Sequence, residues 1–179
     1  MLALITGGSG SGKSAYAEAI CVKLQEKKQD TPMLYIATMY PFDEEAFRKI
    51  DRHKELRKNK NFEAIECFTG LKEVKLEKPT TVLLECMSNL TANEMYQEGG
   101  AGEETVEEIR KGIESISRQA DNLVVVSNEI FSDGIDYDPE TERYQRYLGA
   151  INQEIAEQAD LVVEVVYGIP LIHKGEEII

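Results

Sequence analysis

Along the 179-residue chain, short continuous apolar runs alternate with longer stretches in which apolar positions recur every three or four residues. Met1–Thr6, Met33–Ala37 ending at Thr38, Thr80–Glu85, Asn122–Asn128 and Leu161–Val166 are of strand length. Their unbroken apolar character predicts strands covered on both faces rather than strands with one wet side. Phe62–Cys67 is a weaker run of the same kind. Between them, Ala15–Lys27 reads as a helix, and a second helix opens at Asp43, an N-cap followed by Glu44 and Glu45, and continues through Lys58. Val106, Ile109, Ile113 and Ile116 follow helical spacing, as do Tyr144, Tyr147, Leu148, Ile151 and Ile155. Gly99-Gly100-Ala101-Gly102 breaks the chain, Phe131–Pro139 is a polar loop, and a Gly168-Ile169-Pro170 turn leads to a short tail containing His173. No internal repeat or linker divides the sequence. Strands alternating with helices predict one α/β domain with right-handed crossovers and a mainly parallel sheet covered by helices on both faces. Ligands of such sheets gather at the carboxyl ends of the strands.

At the carboxyl end of the first strand stands Gly7-Gly8-Ser9-Gly10-Ser11-Gly12-Lys13-Ser14, which is G-x-x-x-x-G-K-[ST] between a strand and a helix. The glycines let successive N–H groups turn toward phosphate oxygens. Lys13 brings a positive charge to the terminal phosphates, Ser14 a hydroxyl for Mg²⁺, and the following helix the positive end of its dipole. The domain is therefore expected to be of the P-loop NTPase type. Glu85, the acid closing an apolar strand, is the candidate carboxylate beside the magnesium. Thr38 and Asn128-Glu129 fall at the same edge.

The formal net charge of −13 opposes nucleic acid or an anionic membrane as partner. The acids from Glu94 to Glu108 read as a solvated face. Three cysteines, Cys21, Cys67 and Cys86, are odd in number and widely spaced, which suits small buried side chains in a reducing cytoplasm better than a disulfide framework or zinc. No basic segment precedes an apolar one and no apolar run reaches spanning length, so neither a signal peptide nor a membrane segment is expected.

Lys49, His53 and Arg57 recur at intervals of four on the second helix, a cationic stripe with an imidazole in its middle. Arg52, Lys54 and Arg57 would attract phosphate and favour a neutral, nucleophilic His53. The residues alone leave three readings open: a nucleotidyltransferase using His53, a P-loop kinase of another small acceptor, and a regulatory nucleotide-binding module.

One ordered set of motifs narrows this. Gly7-Gly8-x-x-Ser11-Gly12-Lys13-Ser14-x-x-Ala17-Glu18, Tyr35-Ile36-Ala37-Thr38, Arg52-His53-x-x-x-Arg57 and Leu83-Leu84-Glu85-Cys86 are followed by Val126-Ser127-Asn128-Glu129, Leu148-Gly149-x-x-Asn152 and Gly168-Ile169-Pro170-Leu171. Over nearly the whole chain it resembles the bifunctional adenosylcobinamide kinase/adenosylcobinamide-phosphate guanylyltransferases of cobalamin biosynthesis. The resemblance implies phosphorylation of a corrinoid hydroxyl by ATP or GTP, then transfer of GMP from GTP to that phosphate through a guanylylated His53. It implies nucleotide contacts at Gly7 to Ser14, at Ala37, Thr38 and Met39, at Lys54, Glu55, Leu56 and Arg57, and at Glu66 and Glu85. A homotrimer is implied as well. After Asn128-Glu129 the chain departs from the family's Gly-rich stretch, reading Ile130-Phe131-Ser132-Asp133-Gly134-Ile135-Asp136-Tyr137-Asp138-Pro139.

Overall fold

In the computed structural model, all residues are described except Gln29, Asp30, Asp43 and Asn59. The side chains of Glu45, Ala46, Lys49, Arg52, His53, Leu56 and Arg57 also lie outside the described set. The strands are β1 (Leu2–Thr6), β2 (Met33–Ala37), β3 (Phe62–Glu66), β4 (Thr81–Glu85), β5 (Asn122–Val126), β6 (Leu161–Val166) and β7 (Ile169–Lys174). The helices are α1 (Lys13–Lys27), α2 (Glu44–Arg57), α3 (Met87–Tyr96), α4 (Thr105–Gln119) and α5 (Pro139–Gln158). All seven strands form one sheet in the order β3-β2-β4-β5-β1-β6-β7. Every pairing is parallel except β6 with β7, a hairpin that turns at Tyr167 and Gly168.

Strand side chains alternate between two buried layers, which is why the runs carry no polar face. Leu2, Leu4, Leu34, Ile36, Val82, Leu84, Leu123 and Val125 join Leu90 of α3, Ile109, Ile113 and Ile116 of α4, and Leu148, Ile151 and Ile155 of α5. On the other face Ala3, Ile5, Met33, Tyr35, Leu83, Val124, Val126 and Val163 pack with Ala17, Ile20 and Cys21 of α1. Burying one such aliphatic side chain contributes about 1.5–3 kcal/mol, so the two layers are the main hold on the sheet.

Three sequence expectations need correction. The tail after Gly168 is strand β7, because β6 leaves an edge that the Gly168-Ile169 backbone can turn back upon. Met87–Tyr96 is a helix of its own, α3, which no predicted element covers. Glu94 is not on a solvated face but 2% exposed, accepting hydrogen bonds from the Gly70 N–H (2.7 Å) and the Ala101 N–H (3.0 Å). Two amides and a packed helix outweigh the cost of burying that carboxylate, although burial still raises its pKa above the ordinary value.

Candidate active site

The loop between β1 and α1 is shaped by three positive-φ glycines, Gly7, Gly10 and Gly12. At Gly7, φ is +148°, and a Cβ there would meet the Val165 carbonyl and, at 2.7 Å, Ser11 Oγ. The loop thus closes against the end of β6, where the Gly168 N–H donates to the Ser11 carbonyl at 2.8 Å.

Helix α1 starts without a side-chain cap and without an acid in its first turn. Helix α5 is the opposite case: Asp138 accepts from the Glu140 and Thr141 amides, and Pro139 sits at its start. An uncapped start leaves amide donors and the helix dipole for an anionic ligand. Lys13 is 7% exposed, and its Nζ donates to the Gly8 carbonyl at 3.0 Å. Burial lowers its pKa, with Cys86 and Glu85 acting partly against that. Among the described residues the buried ammonium donates to one neutral acceptor and feels Glu85 only through space, so an incoming phosphate would add direct counter-charge. Ser11 Oγ is also buried with no hydrogen-bond partner among the described residues.

Ser14, in the first turn of α1, donates to Glu85 Oε1 at 2.5 Å, and the hydroxyl of Tyr35 donates to Oε2 at 2.9 Å. Serine hydroxyl and carboxylate, hard oxygen donors meeting beside the loop, form a set that suits Mg²⁺.

The other predicted positions divide. Sheet register sets Glu66, Ala37 and Glu85 in one row at the carboxyl edge. Thr38 is fully buried: its Oγ1 accepts from the Cys86 N–H (2.6 Å) and donates to the Cys86 carbonyl (2.8 Å), and its carbonyl accepts from Asn93 Nδ2 (2.8 Å). Its side chain therefore ties β2 to β4, while Ala37 and Met39 on either side are half-buried. Lys54 and Glu55 are exposed on α2. Residue 53 belongs to α2, but the imidazole of His53 and the side chains of Leu56 and Arg57 lie outside the described residues. Glu129 turns back on its own loop, accepting from the Phe131 N–H and the Ser132 hydroxyl.

Sequence reasoning missed α3 as the helix that grips these loops. Besides Asn93 and Glu94, its Ser88 hydroxyl accepts from the Asn128 N–H at 3.3 Å. The available signal was a helix-length stretch whose polar residues sit among apolar ones without an exposed face.

Residues 3–172 match the sequence profile of the family described as cobinamide kinase / cobinamide phosphate guanyltransferase. The chain belongs to this family. It is thus a transferase of the cobinamide kinase and guanylyltransferase kind, acting in cobalamin biosynthesis. The bifunctional adenosylcobalamin biosynthesis protein CobU of Salmonella typhimurium is 32% identical, the alignment covering 94% of this chain and 97% of that one. Its Escherichia coli namesake is 30% identical with the same coverage. Among solved structures, the flagellar accessory protein FlaH of Methanocaldococcus jannaschii superposes with a TM-score of 0.53 at 14% identity, over 98% of this chain and 78% of that one. That last likeness concerns the fold, a P-loop NTPase-type domain. Among the described residues, no helix is long and apolar enough to cross a membrane.

Proposed function

We propose that this member of the cobinamide kinase family catalyses both half-reactions on one nucleotide cradle. In the first, the aminopropanol hydroxyl of adenosylcobinamide attacks the γ-phosphorus of a nucleoside triphosphate. The bond to the β-phosphate oxygen breaks, and nucleoside diphosphate and a proton leave. In the second, the His53 imidazole attacks the α-phosphorus of GTP and expels pyrophosphate. The corrinoid phosphate oxygen then attacks the same phosphorus, the P–N bond breaks, and adenosylcobinamide-GDP departs with His53 regenerated.

The observation that carries this reading is the buried Lys13, donating to the Gly8 carbonyl within a loop whose neighbouring helix start has no side-chain cap and no first-turn acid. Family membership supplies the acceptor, and Arg52-His53 in the motif that resembles the family supplies the nucleophile. Ser14 and Glu85 are the residues that would hold Mg²⁺, which when bound offsets the negative charge gathering on the leaving phosphates. Lys13 holds and neutralises the terminal phosphates, the loop amides orient them, and Ala37 to Met39, Lys54 to Arg57, Glu66 and Glu85 are the further nucleotide contacts. In this reading the chain works in the cytoplasm as a homotrimer on a corrinoid and nucleoside triphosphates.

Incubation with α-labelled GTP tests the reading. An acid-labile, alkali-stable protein adduct, discharged by cobinamide phosphate and missing in His53→Ala, is the expected result. Turnover of cobinamide phosphate with no such adduct would leave His53 a bystander.

A further inference from the structure

Strand β2 reads Met33-Leu34-Tyr35-Ile36-Ala37, and Tyr35 is its one side chain with a polar end. Tyr35 is 4% exposed, and its ring stands edge-on to Phe62, with centroids 6.4 Å apart and planes at 81°. Phenylalanine would fill the same volume in this layer. A hydroxyl buried there is unfavourable unless it finds a partner.

The partner is set by register. Tyr35 lies opposite Leu83 and Ala37 opposite Glu85, so Tyr35 and Glu85 are diagonal neighbours on the face that α1 covers. A long aromatic side chain spans such a diagonal. Its hydroxyl meets Glu85 Oε2 at 2.9 Å, while Ser14 of α1 meets Oε1 at 2.5 Å. Glutamate has three side-chain torsions, and a serine hydroxyl swings freely about its own. The tyrosine, wedged in the sheet, is the fixed member of the three.

From this geometry we infer that Tyr35 is a positioning residue for the Glu85 carboxylate, holding it in the orientation that serves a divalent cation bound with the nucleoside triphosphate. The inference rests on the reading of Ser14 and Glu85 given above. Outer partners of this kind orient a ligating carboxylate and commonly alter metal affinity 10- to 100-fold when removed, by about the lower figure for a single phenol.

The test is a Mn²⁺ titration of the complex with β,γ-imido-GTP, free Mn²⁺ being read by its paramagnetic resonance signal, in the wild type, Tyr35→Phe, Glu85→Gln and the double variant. Tyr35→Phe is expected to weaken Mn²⁺ binding about tenfold and Glu85→Gln by more, with no further loss in the double variant. Affinity for metal-free inorganic tripolyphosphate stays within twofold of wild type in Tyr35→Phe. If Glu85→Gln weakens Mn²⁺ binding and Tyr35→Phe does not, the role of Tyr35 is refuted and the metal reading stands. If Tyr35→Phe loses tripolyphosphate binding to the same degree, its effect is structural and the inference is overturned. If Glu85→Gln leaves Mn²⁺ affinity unchanged, the metal reading falls and the role of Tyr35 with it.

Discussion

Helices α1 and α2 follow β1 and β2, strands that β4 and β5 separate in the sheet, and sit in different physical settings. In α1, Ala17, Ile20 and Cys21 are fully buried against β1, β4, β5 and β6, and even Glu18 is 1% exposed. In α2, Glu44, Phe47, Arg48, Asp51, Lys54 and Glu55 are exposed, and β3, the strand after it, has only Phe62 partly buried. Phosphate-holding groups gain from a fixed geometry and low dielectric, which α1 and the sheet supply. In the proposed mechanism the nucleophile must receive a nucleotide and hand it to a large corrinoid, a transfer that needs access. Among the described residues, Lys60, just past α2, ties the two regions by pairing with the buried Glu18 of α1.

The strongest challenge to this division is Lys13→Ala set beside His53→Ala. Loss of Lys13 should slow both half-reactions about 100- to 1,000-fold, as removal of a preorganised charge-stabilising donor does. His53→Ala should abolish GMP transfer and leave kinase kcat within about twofold; separate product assays for the two steps decide it. Equal loss of both activities in His53→Ala would erase the distinction.

The tie between the regions comes next. Lys60→Met leaves the Glu18 carboxylate buried without its cation, at a cost of about 3 kcal/mol in urea unfolding once the partial exposure of Lys60 is allowed for. Gly7→Ala sets a Cβ against the Val165 carbonyl at positive φ, costing about 2 kcal/mol, or roughly 4–8 °C in Tm by calorimetry.

A subtler effect follows from the depressed Lys13 pKa, whose first cause is burial. The ammonium is present below that lowered pKa and lost as pH rises through it, before the ordinary lysine value of 10.5 is reached. Affinity for β,γ-imido-GTP should therefore be full near neutrality and fall in that alkaline window. Lys13→Arg, charged throughout, should show no fall there. Smallest of all, Arg48→Ala on α2 removes an ion pair to Glu44 whose side chains are 78% and 91% exposed, and should move Tm by less than about 1 °C.

The apolar runs announced six strands, the parallel sheet and the phosphate loop, because strands buried on both faces and a loop of obligatory glycines leave marks at fixed local spacing. The net charge of −13 argued against a nucleic-acid partner without any fold, because charge can be counted along the chain. The burial of Glu94, the tie of Thr38 to the Cys86 backbone, and the grip of α3 on its neighbouring loops were not legible. Each depends on which amide or carbonyl stands within about 3 Å of a side chain, and those partners come from distant segments.

Local order along the chain thus determined the layers, the loop and the acid at the end of β4. Only the tertiary structure decided that Tyr35, Ser14 and Glu85, from three different elements, share one hydrogen-bonded corner, since a strand's register against its neighbour is a property of the assembled sheet.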